Sequence, residues 1–125
     1  MKFTLDAGRG AYFIAAYREG AVRIGEQEYL RSVIVTPEQL LEWSATSIRE
    51  LTIEHLRDAL RQQPDILVLG TGNRLVFPPL RLQAALSGRR IGLEVMDTAA
   101  ACRTYNVLLS EDRRVAAALM IQPAD

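Results

Sequence analysis

The sequence predicts an α/β fold built around a largely parallel sheet, and three observations predict it. Asp65-Ile-Leu-Val-Leu-Gly70 is a short apolar run ended by a glycine turn, the pattern of a strand buried on both faces. Helical patterns flank that run on each side. Strand and helix then alternate towards residue 121, which argues parallel pairing through crossover helices. An antiparallel N-terminal hairpin is expected beside the sheet, and 125 residues suffice for a single domain spanning 1–125.

Taken in order, residues 1–11 hold Gly8 and Gly10 and read as loosely ordered. Phe13 to Arg18 has strand composition, Glu19-Gly20 is a turn, and Ala21 to Ile24 returns. Gly25-Glu26 is a second tight turn, since glycine tolerates positive φ. From Tyr29 to Thr36 both alternating sets become apolar, so one strand should run into the core and stop at Pro37. Residues 38–51 read as irregular. Thr52 reads as an N-cap, with Glu54 in the first turn and Ile53, Leu56 and Leu60 as an apolar stripe reaching about Gln62. Pro64 then delivers the chain to the central strand. Pro79 to Ser87 predicts a helix closed by Gly88. Ile91 to Met96 predicts a strand, Asp97 an N-cap for a helix to about Ser110, and Val115 to Ile121 a last strand.

Composition narrows the function classes. Hydrophobic residues make up 49% and charged residues 24%, which is ordinary for a folded domain. The formal net charge is zero, without the basic excess of a nucleic-acid binder, so no nucleic-acid partner is expected. Lys2 is the only lysine, an arginine bias that a GC-rich genome explains more simply than phosphate recognition. With one cysteine, Cys102, and one histidine, His55, no internal disulfide forms and no Cys/His zinc site is expected. No apolar run reaches membrane-spanning length, and no signal-peptide pattern opens the chain, so a cytoplasmic location is expected.

The candidate chemistry is sparse. Gly70-Thr71-Gly72-Asn73 follows a buried strand, as a dinucleotide fingerprint does. Leu75 stands where that fingerprint needs its third glycine, and Val-Phe-Pro-Pro separates the turn from any helix. A tight turn is the simpler reading, though the carboxyl end of a parallel sheet is where ligands bind. His55 points away from its apolar stripe, and Cys102 lies on one with Ala101, Tyr105, Leu108 and Leu109, so neither reads as catalytic. Arg103 and Asn106 are neighbours on the opposite helix face, with Ser110 one turn on. That set is either an exposed polar face or a recognition patch for an acidic or backbone group. Arg89-Arg90 needs no ligand beyond a helix dipole. Trp43 is either a core plug beneath its loop or an interface anchor.

Several blocks carry a family resemblance: Ser32-Val-Ile-Val-Thr-Pro37, Trp43, Leu67-Val-Leu-Gly-Thr-Gly72, Glu94-Val-Met-Asp-Thr98 and Ala101-Cys-Arg-Thr-Tyr-Asn106. The chain resembles, from about residue 12 to 121, a widespread family of small bacterial and archaeal proteins. That family includes the mitochondrial assembly factor 3 of complex I (NADH:ubiquinone oxidoreductase). The resemblance implies one three-layer α/β domain with a central four-stranded sheet. For the mitochondrial member it implies a non-catalytic part in complex I assembly. It carries over no catalytic residue, and no transit segment precedes the matching blocks, as expected of a bacterial relative.

The leading expectation is therefore a non-catalytic, cytoplasmic protein-interaction module that helps assemble a respiratory or other membrane complex. No cofactor or metal is expected. The partner is expected to be a protein, such as a membrane-complex subunit, and homodimer formation is compatible with this. The alternative is a small-molecule (anion) binding protein or enzyme using Gly70–Asn73 with Arg103 and Asn106. A deep pocket at the carboxyl ends of the strands would favour the ligand, and a flat apolar surface the partner.

Overall fold

The computed structural model describes residues 11–123. The expected loose order of residues 1–11 thus lies outside the described residues, apart from Ala11. Three short strands open the described chain: β1 (Ile14–Arg18), β2 (Ala21–Ile24) and β3 (Gln27–Tyr29). They pair antiparallel in the order β1-β2-β3, with Gly20 and Gly25 at φ 88° and 64° in the two turns. The expected hairpin is thus a three-stranded meander. An exposed bidentate pair joins its outer strands, Arg18 Nε and an Nη donating to the two Glu28 oxygens at 2.9 Å each.

The central sheet has five strands rather than four and is mixed rather than largely parallel. It is formed by β4 (Val33–Val35), β5 (Leu40–Glu42), β6 (Ile66–Gly70), β7 (Gly92–Met96) and β8 (Val115–Leu119), in the order β5-β4-β8-β6-β7. Only β6 is parallel to its neighbours β7 and β8, whereas β4 runs antiparallel to both β5 and β8. The strand expected through Tyr29 to Thr36 is broken between Tyr29 and Val33, because the chain there leaves one sheet for the other. Ser32 holds the break: its Oγ accepts from Ile121 N–H at 2.9 Å. The stretch expected to be irregular contains β5 and a 3-10 turn, Ile48–Glu50. Pro37 and Glu38 form a two-residue loop, and Thr36 Oγ1 accepts from Gln39 N–H at 2.9 Å.

Alternation buries the sheet on both faces. Val33, Val35, Val68, Val115, Ala117 and Leu119 face one cluster, with the β1–β3 meander and the helix from Thr98. Ile34, Leu67, Leu69, Ala116 and Ala118 face the other, with Trp43, Leu51, Leu56, Leu82 and Leu86. The helix expected at 52–62 is a 3-10 turn, Ile53–Leu56, running into α1 (Arg57–Leu60). Thr52 caps it with His55, whose Nδ1 accepts from Thr52 N–H at 3.0 Å. α2 (Leu80–Gly88) and α3 (Thr98–Ser110) match expectation closely. α2 carries β6 to β7 on one face, and α3 carries β7 back past β6 to β8 on the other, as right-handed crossovers in opposite directions require.

The helix ends differ from the expected glycine stop. Gly88 lies inside α2, and the left-handed residue is Arg90, at φ 61°. Arg90 N–H donates to Ser87 and Ile91 N–H to Leu86, which is a Schellman closure. α3 ends in the same way at Asp112, φ 59°, with Arg113 N–H donating to Leu108.

Candidate functional site

The sequence placed its best candidate at the carboxyl end of β6, and the topology makes that edge a switch point. Connections leave β6 towards β7 and return past it to β8, the arrangement that opens a ligand crevice in many α/β sheets. In this chain the crevice is filled by its own polar groups. Thr98, fully buried at the start of α3, bridges it: Oγ1 accepts from Gly72 N–H at 2.8 Å and donates to the Met120 carbonyl at 2.6 Å. Thr71 N–H donates to Met96, Thr98 N–H to Gly72 and Met120 N–H to Gly70, each at 2.9 Å.

Gly70 permits this closure. A Cβ there would lie 3.0 Å from Ala101 Cβ, Leu119 Cδ2 and Thr98 Oγ1, so any side chain would push α3 off the sheet. Gly72 turns at φ 102°, and its missing Cβ leaves the space that the Gln122 carboxamide occupies. Gln122 Oε1 in turn accepts from Asn73 N–H at 2.8 Å, and Asn73 Nδ2 donates to the Pro123 carbonyl at 3.4 Å. The Tyr17 hydroxyl sits 3.5 Å from Asn73 Oδ1, and burial pushes its phenol above the ordinary range. The two glycines therefore serve close packing within the chain, and the N–H groups of Thr71, Gly72 and Asn73 are all taken.

The structure does not bring the other candidates into this turn. Asn106 binds β1: Oδ1 accepts from Ile14 N–H at 2.9 Å and Nδ2 donates to the Ile14 carbonyl at 2.7 Å. Arg103 is exposed one turn nearer the start of α3 and forms no ion pair among the described residues. Ser110 Oγ donates back to Val107. Trp43 is buried as a plug, its Nε1 donating to the His55 carbonyl at 2.8 Å. Cys102 is buried, and loss of solvation pushes its thiol up to about 12. Asp97 caps α3, its Oδ1 accepting from Ala100 N–H at 2.9 Å. No group of three His, Cys, Asp or Glu side chains converges among the described residues.

Beyond the closed turn the chain presents an apolar surface that the sequence reading passed over. Leu75, Phe77 and Leu80 are 52%, 67% and 83% exposed, with Pro78 and Pro79 between them. Thr71 shapes this loop, its buried hydroxyl donating to the Arg74 carbonyl at 2.5 Å and accepting from Val76 N–H at 3.1 Å. The signal in the sequence was an apolar run with two prolines and no helix or strand period to bury it. Two clefts lie away from this loop. One of about 360 Å³, lined by Pro37, Gln62, Pro64 and Arg113, opens at the amino ends of β6 and β8. Another of about 340 Å³ lies between β3 and β5.

Comparison with known proteins adds a lineage to this geometry. The chain is 33% identical over 107 residues to the "13 kDa major membrane protein" of Francisella tularensis, covering 82% of this chain and 85% of that one. It is 33% identical over 113 residues to the Xenopus tropicalis NADH dehydrogenase [ubiquinone] 1 alpha subcomplex assembly factor 3, covering 89% of this chain but only 61% of that protein. Among solved structures, a Bordetella parapertussis protein superposes with TM-score 0.85 at 30% identity, over 90% of this chain and 98% of that one. A Xanthomonas campestris protein gives 0.83 at 36%, over 100% and 96%. The model of the family described as "Protein of unknown function (DUF498/DUF598)" matches residues 14–120, and the chain belongs to that family.

Proposed function

We propose that this chain is a non-catalytic docking module, acting from the cytoplasm in the assembly of a membrane complex of the respiratory complex I kind. The observation that carries the reading is the pairing of a self-filled switch point with an exposed apolar loop, Leu75 to Leu80. A site built for a small molecule keeps polar groups free to receive it. Here those groups bind the chain, while apolar side chains are held out to solvent, as at a surface awaiting contact. The assembly-factor relatives support the partner class. The relative named a membrane protein agrees with action at a membrane, and no helix among the described residues is long and apolar enough to cross one. Of the groups considered for an anion, Arg103 alone is left without an ion-pair or hydrogen-bond partner among the described residues, which leaves the ligand reading one exposed cation.

The test is to delete the gene in its native host and resolve membrane complexes by native electrophoresis. Sub-assemblies of a respiratory complex should accumulate, and expression of the Cys102→Ala or His55→Ala chain should restore assembly as the wild type does. Normal assembly of every membrane complex in the deletion strain would overturn the reading.

A further inference from the structure

Residues 66–93 contain Arg74, Arg81, Arg89 and Arg90 and no Asp, Glu, Lys or His. The whole chain is neutral, so this stretch is +4 and the remaining residues together are −4. The stretch folds as β6, the apolar loop and α2, and all four arginines are exposed. None forms an ion pair among the described residues. α2 is ~13 Å long, more than one screening length (about 8 Å in physiological salt), so the arginines at its two ends act as separate exposed cations along one stretch of chain. Beside Arg89 a shallow groove adds Arg57 and Arg61, with Glu54 its one acid, and that acid lies 3.4 Å from Arg57.

Arg74 and Arg81 bracket Leu75, Phe77 and Leu80 along the chain. Exposed apolar side chains flanked in the chain by exposed arginines match a bilayer surface, where leucine and phenylalanine enter the acyl boundary and arginine pairs with anionic headgroups. We propose that the loop from Arg74 to Arg81 seats the protein on an anionic lipid surface, with α2 lying along the headgroups. The occupant argued for is lipid rather than protein because the stretch 66–93 that carries the apolar loop bears positive charge only, +4 with no acid to offset it. Seating of this kind holds the protein by one loop at the surface, without a spanning helix. The proposal rests on the docking-module reading and supplies the place where that docking occurs.

The test is co-sedimentation of the full chain with phosphatidylcholine vesicles, with and without phosphatidylglycerol. Binding should require the anionic lipid and weaken in high salt. Phe77→Ser with Leu80→Ser should weaken it about tenfold or more at an unchanged melting temperature, since both side chains are already exposed. Arg74→Gln and Arg81→Gln should each weaken it about fivefold. A Phe77→Trp chain should shift its fluorescence to the blue on anionic vesicles only. Absence of vesicle binding, or binding that ignores these variants, overturns the proposal. So does a loop that captures a soluble protein from membrane-free extract while leaving vesicles untouched. Vesicle binding and complex assembly are separate readouts, so either reading can fail while the other stands.

Discussion

Asn106 holds both backbone groups of Ile14, accepting from the N–H at 2.9 Å and donating to the carbonyl at 2.7 Å across 92 residues of sequence. One residue earlier, Tyr105 is fully buried and its hydroxyl donates to the Tyr12 carbonyl at 2.9 Å. The polar face of α3 thus includes a clamp on the start of β1. Asn106→Ala should cost about 1–3 kcal/mol, two hydrogen bonds at their usual net worth. Amide exchange at Ile14 should rise more than exchange in β6. Equal protection throughout would show that the clamp contributes nothing local.

Thr98 makes a sharper test, because its hydroxyl serves two buried backbone groups. Thr98→Val keeps the shape and strands both, at about 1–3 kcal/mol for each. Thr98→Ser should recover most of the loss. Denaturant melts of the two variants measure the difference directly, and equal stability for both would contradict the bridge.

The end of α2 offers two stabilising changes. Nothing lies within 4 Å of a Cβ added to Gly88, so Gly88→Ala should add about 0.5–1 kcal/mol by restricting the unfolded chain. Arg90→Gly should add a comparable amount by relieving a left-handed residue that carries a side chain. Both should raise the melting temperature, and a fall in either would mean that the helix closes elsewhere.

Asp97 is the plainest cap in the chain. Asp97→Ala should cost about 0.5–2 kcal/mol, and Asp97→Asn little. Membrane-complex assembly should follow folding in both variants. A stably folded Asp97→Asn chain that fails to support assembly would move this residue from structure to function.

Cys102 sets an alkaline limit. Its folded pKa is raised, so its contribution to stability is full below the ordinary value of 9.0 and is lost as pH climbs towards about 12. Across that window it should remove up to about 1.4 kcal/mol per pH unit. Burial raises the Tyr105 phenol too, with the same sign. Cys102→Ala should flatten the decline of stability above pH 9, and the native thiol should react with alkylating reagents far more slowly than a free one.

The sequence was most legible where one period ran long enough to be unambiguous. The helix from Asp97 to Ser110 and the central strand Ile66–Gly70 follow from patterns that tertiary contacts only confirm. β4 was legible only as the core end of one longer strand from Tyr29, and β5 was not legible, because three residues carry no period. The antiparallel pairing of β4 with β8 joins positions over 80 residues apart, which no local signal reports. At the candidate site, the glycines were found but their use was not. Gly70 does make room for a helix, as in a nucleotide fold, yet the helix is α3 and the groups held there are the chain's own. The exposed loop was visible as an unburied apolar run and was read only as a connection.

The position of β8 has a consequence for how the molecule is made. Strands β4 and β5 form one antiparallel pair, β6 and β7 one parallel pair, and β8 alone joins them. It is the last strand of the described chain to leave the ribosome, yet it takes the middle place in the sheet. A nascent chain that has reached Ser110 holds two half-sheets with bare facing edges and no partner for either. Such edges are open to pairing with other chains. Biosynthesis therefore passes through a vulnerable interval that ends only when Val115–Leu119 slides between the halves. A chain cut before Val115 should be recovered as aggregate rather than as a weaker version of the fold.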